Sequence, residues 1–242
     1  MRKALLTTAL TVTICTMLAT TGPSQALDAS GQAVEVTSMA DGFETPWSVG
    51  FLPDGSFLVT EREGRLWHVG ANGLRNQVSG LPEIRVAGQG GLLVVLVPGD
   101  FAQSREILFS YARPQGRSEG TAMAIARLSE DRRRLEDMRL LFEMKPGSSG
   151  GRHFGGRLVE AADGTIFLTT GDRGDDDSAQ DLLRHNGKVI RLNRDGSVPA
   201  DNPFVGRDDA LPEIWSWGHR NPQGAALDAE GRLWVNEHGA RG

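Results

Sequence analysis

His153 sits in an unusual setting for a histidine: Gly150-Gly151-Arg152-His153-Phe154-Gly155-Gly156-Arg157-Leu158, a glycine-rich loop running into an apolar strand. An imidazole changes charge near neutral pH, so one held open by small neighbours can act as a general base. A surface histidine that only caps a turn is the alternative reading of the same residues. Asp172 ends the apolar run Thr165-Ile166-Phe167-Leu168-Thr169-Thr170, where an acid can orient a histidine. Arg220 and Asn221, in Gly218-His219-Arg220-Asn221-Pro222-Gln223-Gly224, offer fixed donors suited to an anionic or carbonyl-rich ligand. Gln89 lies between glycines in Ala87-Gly88-Gln89-Gly90-Gly91, which lets backbone and amide approach a ligand closely. A tight turn between sheets is equally compatible with that stretch.

Other chemistries fail on context. Gly147-Ser148-Ser149-Gly150-Gly151 matches G-x-S-x-G, but a nucleophile elbow needs a helix directly after the serine, and Arg-His-Phe-Gly-Gly will not form one. The acids Asp172, Asp175, Asp176 and Asp177 suggest a calcium loop. An EF-hand fails because Gly174 takes a ligand position and no glutamate closes the loop, so a solvated acidic loop is expected beyond Asp172. The glycines at 88–91 lack the strand–GxGxxG–helix context of a dinucleotide site. The lone cysteine, Cys15, leaves residues 27–242 without a disulfide or a thiolate for zinc or nucleophilic catalysis.

The elements that must present these groups read as strands. One unit recurs: a turn ending in Asp-Gly or similar, four apolar residues, then a polar turn. It appears as Pro53–Thr60, Ala162–Thr169 and Ala229–Asn236, with a weaker copy at Arg105–Tyr111. A second strand follows closely behind the units, at Arg65–Val69, Ala122–Leu128 and Lys188–Leu192. Long amphipathic periods are missing, and short Val/Ile/Leu/Phe runs alternate with Gly/Asp/Asn/Pro turns. A repeat of roughly 50 residues carrying several strands predicts an all-β β-propeller rather than a β-sandwich. Blades are expected to start near residues 45, 90, 155 and 215. That gives three to four blades, and the chain reads as the N-terminal part of a longer propeller.

Residues 1–26 read as a secretory signal peptide: Arg2 and Lys3, an apolar Thr-rich core over 4–19, and the cleavage site Ser24-Gln25-Ala26. The core is too short for a spanning helix, so no membrane span is expected in the mature chain 27–242, and export to the periplasm or medium is. Setting Arg2 and Lys3 aside leaves 24 of the 26 basic side chains against 31 acidic ones, a net charge of −7. That balance, with no basic stripe, argues against a nucleic-acid partner.

In series, Pro46-Trp47, Gly88-Gln89-Gly90-Gly91-Leu92-Leu93, His153 with Gly156-Arg157-Leu158, Gly171-Asp172-Arg173-Gly174, Gly218–Gly224 and Glu237-His238-Gly239 resemble the soluble quinoprotein sugar dehydrogenases, the glucose/sorbosone dehydrogenase family. The resemblance covers about residue 40 onward. It implies a six-bladed propeller that binds pyrroloquinoline quinone and calcium and oxidises the C1 hydroxyl of aldose sugars by hydride transfer to the quinone, with an external electron acceptor. By the same resemblance His153 would take the sugar hydroxyl proton. Asp172 would orient His153 and support its imidazolium. Arg220 and Asn221 would bind the quinone oxygens, Arg220 also stabilising charge on reduction. Gln89 would contact substrate or cofactor, and His238 would contact cofactor. The backbone carbonyls of Gly239 and Ala240 would hold part of the calcium, Ala240 standing where the family usually has proline. Two other expectations are weighed beside this one: a non-enzymatic propeller that binds carbohydrate or protein, and a calcium-dependent lactonase.

Overall fold

Alternation in the strands is what builds this molecule. In the second sheet, Ile107, Phe109 and Tyr111 point to one face, with Leu108 and Ser110 on the other, and all five are buried. A strand apolar on both faces must lie between two neighbours, and that is how the sheets stack. The structure, a computed structural model, describes residues 25–29 and 32–239. The expected signal peptide falls mainly on residues outside that range.

The described residues divide into two compact units, one ending at Met39 and one beginning at Ala40. In the first, β1 (Gln25–Ala29) and β2 (Gln32–Val36) pair as an antiparallel hairpin. In the second, the described residues form three four-stranded antiparallel sheets and a hairpin, stacked in chain order. The first sheet is β3 (Pro46–Phe51), β4 (Phe57–Glu61), β5 (Arg65–Val69) and β6 (Arg75–Val78). The second is β7 (Leu92–Leu96), β8 (Glu106–Gln115), β9 (Ser118–Leu128) and β10 (Leu135–Glu143). The third is β11 (Gly155–Glu160), β12 (Ile166–Thr170), β13 (Lys188–Leu192) and β14 (Ile214–Trp217). The hairpin is β15 (Pro222–Leu227) with β16 (Leu233–Glu237). The opening strands β3, β7, β11 and β15 pack against one another in sequence. This is the β-propeller arrangement, with the first strand of each blade innermost.

One boundary differs from expectation. The blade start expected near 215 falls instead at Pro222. Ile214–Trp217 pairs with β13 and closes the third sheet. A strand followed by a polar loop and another strand looks the same from sequence whether the loop lies within a blade or between blades.

The recurring turn has a local cause. Asp54 Oδ1 accepts the Ser56 N–H and hydroxyl at 3.1 and 2.6 Å, and Asp163 Oδ1 accepts the Thr165 N–H and hydroxyl at 2.9 and 2.7 Å. The glycines between them sit at φ +82° and +81°, a region that penalises any Cβ. The last residue of the four-residue run then joins blade to blade. Thr60 Oγ1 donates to Leu93 O at 2.6 Å, Ser110 Oγ to Gly156 O at 2.5 Å, and Thr169 Oγ1 to Pro222 O at 2.7 Å. Equivalent hydroxyls thus satisfy a carbonyl in the first strand of the following blade, a buried acceptor that would otherwise be costly.

Two apolar cores fill the spaces between sheets. Leu58, Leu66 and Val78 meet Leu92, Ile107 and Phe109 between the first and second sheets. Leu108, Met123 and Ile125 meet Leu158, Ile166, Leu168 and Ile190 between the second and third. Each fully buried side chain of this size contributes roughly 1.5–3 kcal/mol relative to exposure. The Asp-Gly turns lie at one end of the strands. The 6–7, 10–11, 12–13 and 14–15 connections lie at the other, and they carry the candidate site. At that end each innermost strand has a register shift against its partner: Pro46/Ser48, Leu92/Val95, Gly155/Leu158 and Pro222/Gly224. Such bulges bend a strand and re-aim its side chains beside a site.

Candidate active site

The connection before β11 places His153, and the one after β12 places Asp172. They meet through His153 Nδ1 and Asp172 Oδ1 at 2.7 Å, with both residues buried. The same Oδ1 accepts the Gly174 N–H at 2.6 Å, as befits a carboxylate that has only lone pairs to offer. Nδ1 therefore carries the proton, and Nε2 is left as the free lone pair. Gly171 makes the approach possible: a Cβ there would fall 1.9 Å from His153 O. His153 itself has φ +53°, a left-handed conformation uncommon outside glycine, so its neighbours must hold it.

Those neighbours include most of the other expected residues. Gln89 Oε1 accepts the His153 N–H at 2.7 Å, and the Gln89 N–H donates to Gly151 O at 2.8 Å. The Gln89 amide oxygen thus secures the histidine loop and leaves its NH2 for a ligand. Asp172 N–H donates to Arg220 O at 2.8 Å, and Asn186 Nδ2 donates to Asp172 O at 3.0 Å. Asn221 is buried and its Oδ1 accepts the Gly155 N–H at 3.1 Å, so its NH2 is the group available to a ligand. Arg220 Nη1 donates to His238 O at 2.9 Å, and His238 Nε2 donates to Gln223 Oε1 at 2.8 Å.

His153 and Arg220 stand between two recesses. The larger, about 500 Å³, is lined by Arg152, His153, Asp172, Arg220, Glu237 and Gly239 among others. The smaller, about 330 Å³, is lined by Trp47, Gln89, His153, Arg220, Asn221, Gln223 and His238. Every expected site residue within the described range lies on one or both. Ala240 lies outside the described residues.

Glu237 was not expected to take part and is central. Its Oε2 accepts the backbone N–H of Arg220 at 2.6 Å and of Asn221 at 3.2 Å. An acid at the end of β16 therefore fixes the loop that presents both donors. The signal was a strand-end acid, the same one that marked Asp172. Arg173, beside Asp172, is wholly buried and pairs with Glu119, near the start of β9 and outside the strand expected at Ala122–Leu128.

The donor set suits the two groups that the resemblance implies unequally. Pyrroloquinoline quinone is a planar tricarboxylate with adjacent carbonyls. The recesses offer the guanidinium groups of Arg152 and Arg220 and the free amides of Gln89 and Asn221, the complement such a ligand needs. Calcium takes six to eight oxygens. Among the described residues no group of three His, Cys, Asp or Glu side chains could hold a metal. The described part of the chain offers the Gly239 backbone at the wall of the larger recess, a partial set only.

A family model described as Glucose / Sorbosone dehydrogenase matches residues 43–242. The chain is 44% identical over 224 residues to the aldose sugar dehydrogenase YliI of Escherichia coli, covering 90% of this chain and 60% of that protein. It is 29% identical over 244 residues to quinoprotein glucose dehydrogenase B of Acinetobacter calcoaceticus, covering 90% of this chain and 51% of that one. The apo-form crystal structure of the soluble aldose sugar dehydrogenase of Escherichia coli superposes with a TM-score of 0.79 at 43% identity, covering 82% of this chain and 58% of that one. The PQQ-bound aldose sugar dehydrogenase of Streptomyces coelicolor superposes with a TM-score of 0.74 at 29% identity, covering 83% and 58%. The chain thus spans 60% or less of the length of these relatives.

Proposed function

The chain belongs to the Glucose / Sorbosone dehydrogenase family, and from that premise we propose that it carries the site of a quinoprotein that oxidises the C1 hydroxyl of aldose sugars. The observation that supports this most is the His153–Asp172 pair, which leaves Nε2 as the acceptor on a wall shared with Arg220.

In this reading His153 Nε2 accepts the proton of the sugar hydroxyl, and Asp172 holds the imidazole in the required tautomer and stabilises its charged form. When bound, pyrroloquinoline quinone supplies the two-electron acceptor for the sugar. Arg220, with the Asn221 and Gln89 amides, would hold its oxygens, and Arg152 and His238 complete the polar wall. Glu237 keeps Arg220 and Asn221 in place. Calcium would be held in part by the backbone carbonyls of Gly239 and Ala240. An external acceptor would remove the electrons. Export to the periplasm or medium follows from residues 1–26, and none of the described helices is long and apolar enough to cross a membrane.

Titration of the full-length protein with pyrroloquinoline quinone, followed by dye reduction with aldoses, tests this. Saturable binding and aldose-dependent reduction are expected. Failure to bind the quinone would favour a non-enzymatic propeller that kept the recesses and lost the redox chemistry.

A further inference from the structure

One buried charge beside the proposed base is not used by the mechanism above. Arg173 follows Asp172 directly, and its side chain is 0% exposed. Three contacts hold its guanidinium, while its buried Nε has no hydrogen-bond partner. Nη1 donates to Arg152 O at 2.6 Å, Nη2 donates to Glu119 Oε1 at 2.8 Å, and the guanidinium carbon lies 3.4 Å from the centre of the Phe154 ring. Arg152 and Phe154 are the residues on either side of His153. The guanidinium thus touches the chain just before and just after the histidine, from a residue bonded to the histidine's partner. Glu119 fixes the far side: it lies in β9 of the second blade, its side chain 4% exposed, and exchanges backbone hydrogen bonds with Ser148 at 3.0 Å each way.

We infer that Arg173, anchored by Glu119, is a positioning residue that clamps the His153 loop and keeps Nδ1 on Asp172. The inference rests on reading His153 as the base. Two features argue that the clamp is there for geometry. His153 and Arg173 both adopt left-handed φ, +53° and +63°, conformations that side chains other than glycine hold only when their surroundings over-determine them. A buried ion pair often gives no more stability than an apolar pair of the same volume, which directs attention to orientation as its contribution here. Burial pulls Arg173 down to about 10, with Glu119 opposing, so the guanidinium stays charged at neutral pH. The charged and titratable groups that line a recess with His153 are Arg152, Asp172, Asp176, His219, Arg220, Glu237 and His238, and Arg173 is the side chain that touches both of its flanks.

The test is the His153 Nδ1 proton, observed by NMR in the chain without quinone or metal and identified by its loss in H153Q. Wild type should show a protected Nδ1–H signal. The charge-balanced variant R173M/E119L should fold yet exchange that proton about tenfold faster, the scale of one lost hydrogen bond to a charged group. R173K keeps a charge against Glu119 but cannot lie flat on Phe154 while donating to two acceptors, so it should fall between. Exchange in R173M/E119L within twofold of wild type would overturn the clamp, as would a wild-type Nδ1 proton with no protection. Should the double variant not fold, R173K decides, and unchanged exchange there overturns the inference. These outcomes are independent of the proposed activity: absence of aldose oxidation by the full-length protein leaves the proton exchange result standing, and the reverse holds too.

Discussion

His153 is useful as a base only while Nδ1 keeps its proton, because that proton determines which nitrogen faces the substrate. Asp172 secures this as an acceptor-only carboxylate, its Oδ1 already shared with the Gly174 N–H. Asp172→Asn should therefore be severe with the fold intact. An amide can donate as well as accept, the tautomer is no longer fixed, and aldose turnover by the full-length protein should fall about 100-fold or more. Turnover within a few-fold of wild type would show that Asp172 does not orient the base. At this scale the sequence picked out residues that the structure brings together where residue type stands in an exceptional setting: a histidine among glycines, an acid closing a strand, Arg-Asn in a polar loop. It was silent on Arg173 and Glu119. Their contact spans 54 residues, and each reads singly as an ordinary surface charge in an acidic chain. Glu237 lay between these cases, a visible strand-end acid whose targets, two backbone N–H groups, no sequence displays.

At the scale of elements, the blades hold the site through buried polar contacts that strand patterns do not reveal. Thr169 Oγ1 donates to Pro222 O and accepts the Arg157 N–H at 2.9 Å, joining β12 to β11 and β15 close to Arg220. Thr169→Val keeps shape and removes both bonds, and it should cost about 1–3 kcal/mol in urea unfolding. An unchanged midpoint would mean that the packing of β15 does not depend on this hydroxyl. Lys188, at the start of β13, is fully buried, and its Nζ donates to the carbonyls of Ser178, Ala179 and Asn186 at 3.2, 2.9 and 2.5 Å. It thereby fixes the acidic connection after Asp172, whose Ala179 lines the larger recess. Burial lowers Lys188 to about 8 from its usual 10.5. The unfolded chain then binds more protons than the folded one between those values, so this residue makes stability rise with pH from about 8 to about 10.5. Unfolding of wild type and K188M at pH 7.5 and 10 should show a difference that widens in favour of wild type. A constant difference would contradict it. The strands themselves were legible, since an Asp-Gly or Glu-Gly turn precedes β4, β12 and β16, and a weaker copy of the unit marks β8. The misplaced blade boundary at 215 shows the limit: pairing partners, not strand content, decide which sheet Ile214–Trp217 joins.

Across the whole molecule, repetition and function occupy opposite ends. The turns that reveal the propeller in the sequence sit away from the site, and the irregular connections that spoil the repeat form it. That separation suits the fold: uniform strands give a rigid frame, and the loops at one end are free to carry chemistry. It also explains why the repeat predicted the architecture but said nothing about which loops converge. The hydrogen bonds from Gln89 through His153, Asp172 and Arg220 to Glu237 cross four connections, so the proposed base is a property of the assembled blades. The most direct measurement is steady-state aldose oxidation by the full-length, quinone-loaded protein and its H153A variant, with quinone affinity measured in parallel. The account predicts that affinity stays within a few-fold while kcat/KM falls by about 100-fold or more. Undiminished kcat/KM in H153A, with quinone bound, would contradict it.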